Sequence, residues 1–161
     1  MNQIEKNNLQ GLGGWLILVI IGLVITPIRL SLFILSDFVP IFTDGTWQAL
    51  TVVTSSSYHA LWAQLIIFEM TGNLAIIILS LVTMYFMFRK SKRTPTVAIT
   101  WYAVGFVFVV ADFFLASMIP AIADMPTDFE TVKEISRASF GVLIWIPYFL
   151  FSKRVKATFI E

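Results

Sequence analysis

Three stretches of this chain, 13–36, 61–88 and 95–119, are too long and too apolar to fold in water. A helix that crosses a bilayer core of about 30 Å needs about 20 mostly apolar residues. Inside hydrocarbon, a lone segment satisfies its backbone only as a helix. A fourth stretch, 134–152, is weaker, because only 140–151 is fully apolar. Composition agrees: 58% of the 161 residues are hydrophobic, 13% are charged, and the mean hydropathy is +0.84. Soluble domains carry about 25% charged residues. The expected fold class is therefore all-α, a four-helix transmembrane bundle forming one integral membrane domain over 1–161.

The loops set the orientation, because Lys and Arg collect on the cytoplasmic side. Arg89, Lys90, Lys92 and Arg93 fall in the loop 89–94, and Lys153, Arg154 and Lys156 follow the fourth stretch. The loop 37–60 has no Lys or Arg, and 120–133 has Lys133 against Asp124, Asp128 and Glu130. Both termini and the basic loop are thus expected in the cytoplasm, with two acidic outer loops. A fourth span is needed to keep the basic tail inside. The first span does not read as a cleaved signal peptide: its leading segment has one Lys and one Glu, and no small-residue cleavage site follows. Trp15, Tyr85, Trp101, Tyr102 and Tyr148 fall towards cytoplasmic ends, and Trp47, Tyr58 and Trp62 towards outer ends, as interfacial rings do. After the Asp44-Gly45 turn signal, 46–54 reads as a short interfacial helix.

Four charges lie inside the spans: Arg29, Glu69, Asp112 and Arg137. Such residues cost about 2.5–3.5 kcal/mol each at the bilayer centre and are functional candidates by default. At about 1.5 Å of rise per residue, all four sit ~24–28 Å from the cytoplasmic edge, within about one turn of each other. Each also lies on a stripe of small or polar residues: Gly22, Thr26, Arg29 and Ser36; Glu69, Asn73, Ser80 and Thr83; Gly105, Asp112 and Ala116; Arg137, Gly141, Tyr148 and Ser152. The simplest reading is a buried layer in which Arg29 meets Glu69 and Arg137 meets Asp112, with the swapped pairing equally consistent. Snorkelling of both Arg side chains is the bland alternative. Pro27 lacks an N–H, so it leaves the carbonyl of Leu23 available as an acceptor near Arg29.

Other features exclude chemistry. No cysteine means no disulfide, thiol nucleophile or thiolate metal site. One histidine, His59, does not make a zinc site. Ser55, Ser56 and Ser57 lack a nucleophile-elbow pattern, and Asp124 to Glu130 lacks calcium-loop spacing. Gly11-Leu-Gly-Gly-Trp15 has no following Lys and no strand context, so it reads as a bend at the membrane rather than a phosphate loop. A formal net charge of +1 gives no reason to expect nucleic acid. No cofactor or metal is expected.

The run Gly11-Leu-Gly-Gly-Trp-Leu-Ile-Leu18, then Pro27-Ile-Arg29, Glu69-Met-Thr-Gly-Asn73, and Arg137 ahead of Trp145-Ile-Pro-Tyr-Phe-Leu-Phe-Ser-Lys-Arg-Val-Lys, resembles the domain-of-unknown-function 2569 family. The resemblance covers nearly the whole chain. It implies a small four-span protein of the bacterial inner membrane and adds weight to Arg29, Glu69, Asn73 and Arg137. It supplies no activity.

The leading expectation is a non-enzymatic inner-membrane protein, structural or accessory, with its charge layer buried. A homodimer or another membrane protein is its expected partner. The alternative is a small transporter or ligand-binding protein in which Arg29, Glu69, Asn73, Asp112 and Arg137 form an outward-facing anion site or proton relay. A weaker third reading has Arg89, Lys90, Lys92, Arg93, Lys153, Arg154 and Lys156 binding anionic lipid headgroups. Convergence of the charges on a cavity, as against dry pairing, separates the first two.

Overall fold

The computed structural model describes residues 10–126 and 129–160. Lys6 and Glu5 of the leading segment and Asp128 of the second acidic loop lie outside the described residues. The described chain is all helical. Helix α1 covers Leu16–Phe33 and runs through a π-helical turn, Ile34–Phe38, into α2, Val39–Thr43. A short α3, Thr46–Thr51, follows. Then come α4, Leu61–Phe88; α5, Thr94–Ser117; a single turn α6, Pro120–Ala123; α7, Phe129–Phe151; and α8, Lys153–Thr158. Four helices are long and apolar enough to cross a membrane: Leu16–Thr43, Leu61–Phe88, Thr94–Ser117 and Phe129–Phe151.

Two boundaries differ from the sequence reading. The first span continues through Thr43, because 38–42 is apolar and the chain passes Pro40 by shifting one hydrogen bond, Val39 N–H to the Ile34 carbonyl, to π spacing. The last long helix starts at Phe129 rather than Glu134, so Glu130, Lys133 and Glu134 are helical residues. Between them the Asp44-Gly45 turn forms as read: Gly45 has φ +89°, and Asp44 Oδ1 accepts from Thr46 N at 2.9 Å. Hydrogen bonds from Thr46 hold the Asp44 carboxyl below its ordinary range. His59 serves locally, its Nδ1 accepting from Leu61 N at 3.3 Å where α4 starts.

The spans pack in the order α1, α4, α5, α7, each against the next. Among the described residues α1 and α7 have no extended backbone contact, so the four helices form an open arc. Many large apolar side chains point away from the protein interior, among them Leu18, Ile25, Leu32, Ile78, Val107 and Leu143. In water this surface would aggregate; in lipid it is the expected outside.

The buried core sits at the basic end. Leu16, Val19 and Leu23 of α1 meet Met87 of α4, Ala98 and Trp101 of α5, Phe149 of α7, and Val155 with Phe159 at the C-terminal end. There α8 closes the bundle. Gly11 N donates to Thr158 Oγ1 and Thr158 Oγ1 donates to the Gly11 carbonyl, both at 3.2 Å. The Arg154 guanidinium lies over the glycine turn: a Cβ at Gly13 would come within 3.1 Å of its Nη1. Gly14 adopts φ +60°, a left-handed conformation that favours glycine.

The carbonyl freed by Pro27 finds a donor. Ser80 of α4 is fully buried, and its Oγ donates to the Leu23 carbonyl of α1 at 2.9 Å. The bond replaces the one Pro27 cannot make and joins the two helices.

Candidate functional site

Away from the basic end the arc opens, and α1 and α7 flank a cleft that exposes the inner faces of α4 and α5. The cleft holds two adjoining cavities. One, of about 170 Å³, draws on all four spans: Thr26, Arg29 and Leu30 from α1; Asn73 and Ile76 from α4; Trp101, Tyr102, Gly105, Phe106, Phe108 and Val109 from α5; Glu134, Arg137, Ala138 and Gly141 from α7. The other, of about 250 Å³, is lined by Arg29, Leu30, Phe33, Glu69, Asn73, Phe108, Val109, Asp112 and Glu134. Arg29, Leu30, Asn73, Phe108, Val109 and Glu134 border both. All five intramembrane candidates therefore line one composite cleft.

Their pairing differs from the expected one. Among the described residues neither Arg29–Glu69 nor Arg137–Asp112 forms, and neither does the swapped pairing. Arg29 Nη2 instead bonds Glu134 Oε1 at 3.1 Å, with both side chains about half exposed. The buried Arg/acid layer is thus replaced by an open arrangement. The helix order explains this. The two acids stand on the middle helices α4 and α5, which pack together, so Glu69 and Asp112 face each other and interact directly. The two Arg residues stand on the outer helices α1 and α7, beside the opening. Glu134 lies one turn before Arg137 on α7 and reaches Arg29 across the gap.

Three groups in the cleft lack a hydrogen-bond partner among the described residues. Arg137 is an exposed residue at the lip of the cleft and makes no hydrogen bond or ion pair among the described residues. Asn73 is 6% exposed as a residue and borders both cavities; its amide makes no hydrogen bond to another described residue and stays accessible from the cavity side. Buried polar groups are normally satisfied, and each exception calls for a cause. In the acidic compartment, Asp112 Oδ1 is such an exception, buried without a hydrogen-bond partner.

The walls are aromatic and small by turns. Phe108 of α5 lies directly on Gly72 of α4, where a Cβ would come within 2.0 Å of its ring, and stacks obliquely on Phe68 with centroids 5.2 Å apart. Gly105 faces open space: a Cβ there would have no neighbour within 4 Å. Towards the basic end, Trp101 and Tyr102 form the floor. Tyr102 stacks on Trp145 of α7, centroids 6.2 Å apart, and Trp145 meets Trp15 edge-on at 6.3 Å. Trp101 and Tyr102 are thus not membrane-interface rings, as their position along the span suggested. They lie on the inward stripe of α5 with Ala98, Gly105 and Asp112, and Trp101 is buried in the core. That helical spacing was the available signal for both. Glu134, also missed, was signalled by its i−3 spacing from Arg137.

The basic face is arranged differently. Arg89, Ser91 and Arg93 border a shallow polar pocket with Tyr85 and Phe86, and Arg89 Nη1 bonds Tyr85 Oη at 3.4 Å. Lys90, Lys92, Lys153 and Lys156 are exposed. Arg154 instead packs on the glycine turn. No group of three or more His, Cys, Asp or Glu side chains suited to a metal ion occurs among the described residues.

No curated protein and no solved structure matches this chain. A family model described as "Protein of unknown function (DUF2569)" matches residues 9–160. That match spans all four membrane-length helices, both partners of the Arg29–Glu134 pair, and the whole cleft. The chain belongs to the DUF2569 family.

Proposed function

We propose that this protein is a non-enzymatic, multi-pass protein of the bacterial inner membrane that binds an anionic small molecule in the α1–α7 cleft. The observation that carries the reading is the pair of unpartnered groups that border one cavity and are accessible from it, the Arg137 side chain and the Asn73 amide. In that cavity two guanidiniums face one carboxylate, Glu134, which already holds Arg29. A guanidinium fork donates two parallel hydrogen bonds to a carboxylate or phosphate, and an amide N–H donates a further one. Glu69 and Asp112 mark the far wall and keep a second anion from the acidic compartment. A protein held together by dry ion pairs would leave neither Arg137 nor Asn73 without a partner.

The orientation follows from charge. With Arg89, Lys90, Lys92, Arg93, Lys153 and Lys156 in the cytoplasm, both termini are inside and the cleft opens towards the outer leaflet. The same basic face suits anionic headgroups, at about 1 kcal/mol per residue near the surface.

The test is calorimetric titration of the protein in nanodiscs with hexanoate. Saturable binding is expected, weakened about tenfold or more in Arg137→Gln, the loss of a charge-assisted hydrogen bond of about 1.5–3 kcal/mol. Lys133→Gln, outside the cleft, should bind like the parent. Binding unchanged in both Arg137→Gln and Asn73→Leu would overturn the reading.

A further inference from the structure

We infer that the bound anion is the head of a single-chain amphiphile, a carboxylate or phosphate monoester, that enters sideways from the membrane between α1 and α7. This rests on the anion-site reading and narrows its ligand class.

The charged groups of the smaller cavity, with Asn73, are grouped at one end, and Thr26 and the Tyr102 hydroxyl are the polar groups beyond them. Arg29, Asn73, Glu134 and Arg137 lie towards the acidic end, while Ile76, Phe106 and the Trp101–Tyr102 floor extend towards the basic end. From Val109 to Trp101 the α5 wall alone runs about 12 Å along the helix axis. A fully hydrated anion would meet its charge partners at the top and lose water without compensation along the rest. A molecule with one charged end and one apolar tail meets a matching surface at both.

Volume and access agree. Enclosed sites for drug-sized ligands span about 300–1,000 Å³. This cavity, at about 170 Å³, encloses less than a whole lipid. It suits a headgroup and the first part of one chain, with the remainder lying in the lateral gap. That gap lies between the basic-end core, where α1 meets Phe149 and Trp145 of α7, and the Arg29–Glu134 pair that bridges the two helices; between these points α1 and α7 have no extended backbone contact. The polar end also sits at a workable depth. Arg29 and Arg137 lie ~20 Å along their helices from Leu16 and Phe151, in the outer half of a hydrocarbon core of about 30 Å. An amphiphile of that leaflet keeps its head near its own depth on sliding in.

Gly105 provides a clean perturbation. A Cβ there meets nothing within 4 Å and the residue borders the cavity, so Gly105→Leu is directed at the tail space and away from the charged end. Gly105→Val is the smaller companion, and thermal unfolding checks that both variants fold. Native mass spectrometry would score one-to-one binding of decanoate and decyl phosphate, with hexanoate, acetate, inorganic phosphate and decyltrimethylammonium as comparison probes. The two decyl anions are expected to bind one per chain and at least tenfold more tightly than hexanoate. Acetate, inorganic phosphate and the cation should not bind at the same concentration. Gly105→Leu and Arg137→Gln should each weaken decyl phosphate about tenfold or more, and Gly105→Val should fall between Leu and the parent. Binding of hexanoate or inorganic phosphate equal to decyl phosphate, unaffected by Gly105→Leu but lost in Arg137→Gln, would overturn the amphiphile and leave the anion site standing. Equal binding of the decyl cation, or decyl anions insensitive to Arg137→Gln, would overturn both.

Discussion

The Ser80–Leu23 bond allows a prediction in which the sequence dictates its own rescue. Pro27 has no N–H, so the Leu23 carbonyl lacks its helical donor, and fully buried Ser80 donates at 2.9 Å instead. Ser80→Ala strips that acceptor inside a dry helix contact. Leaving a buried backbone group unpaired costs about 1–3 kcal/mol in soluble proteins. Interhelical hydrogen bonds within membranes average about 0.6 kcal/mol and reach about 1.7. We expect Ser80→Ala to cost about 1 kcal/mol, close to a fivefold loss in the folded-to-unfolded ratio. Pro27→Ala restores an N–H at the position that bonds the Leu23 carbonyl. In that background Ser80→Ala should be nearly neutral, leaving a coupling of about 1 kcal/mol in the double-mutant cycle. The assay is equilibrium unfolding in mixed micelles with increasing dodecyl sulfate, following tryptophan fluorescence. Equal cost of Ser80→Ala in both backgrounds would refute the compensation, whatever Pro27→Ala does alone.

Two further outcomes follow from packing. Gly72→Ala places a Cβ 2.0 Å from the Phe108 ring, so the ring must move; a loss of about 1–3 kcal/mol is expected in the same unfolding assay. Thr158→Val removes both bonds to Gly11. At about 0.5–1.5 kcal/mol per bond, it should speed amide exchange over Lys153–Thr158 before it lowers exchange protection of α4.

The spans were legible because membrane helices advertise themselves through length and hydropathy. Their inward faces were legible too. Asn73, Ser80 and Thr83 share a stripe and are all buried, and Gly105, Asp112, Arg137 and Gly141 all face the interior or the cleft. Pro27 even identified the acceptor that Ser80 satisfies. The pairing was not legible. Depth and helix face restrict where a charge sits, but they do not say which helices are neighbours. The order α1, α4, α5, α7 with an open side sets acid beside acid and leaves an Arg at each lip of the cleft. Glu134 escaped notice because hydropathy placed the fourth span's start at that residue, whereas the helix begins at Phe129, more than a turn earlier. Hydropathy reports burial in lipid, while polar residues just beyond the apolar run extend the helix unseen.

The central claim is that the intramembrane charges line an accessible cleft and are not locked in a dry layer. The chain has no cysteine, so one introduced thiol reports unambiguously. Ala138 borders the cavity one residue from Arg137. We predict that Ala138→Cys reacts with a water-soluble anionic methanethiosulfonate in the native protein, and that decyl phosphate slows the reaction about tenfold or more, in line with the affinity expected of one charge-assisted contact. A thiol that reacts only after denaturation, or at a rate decyl phosphate does not change, would contradict the account.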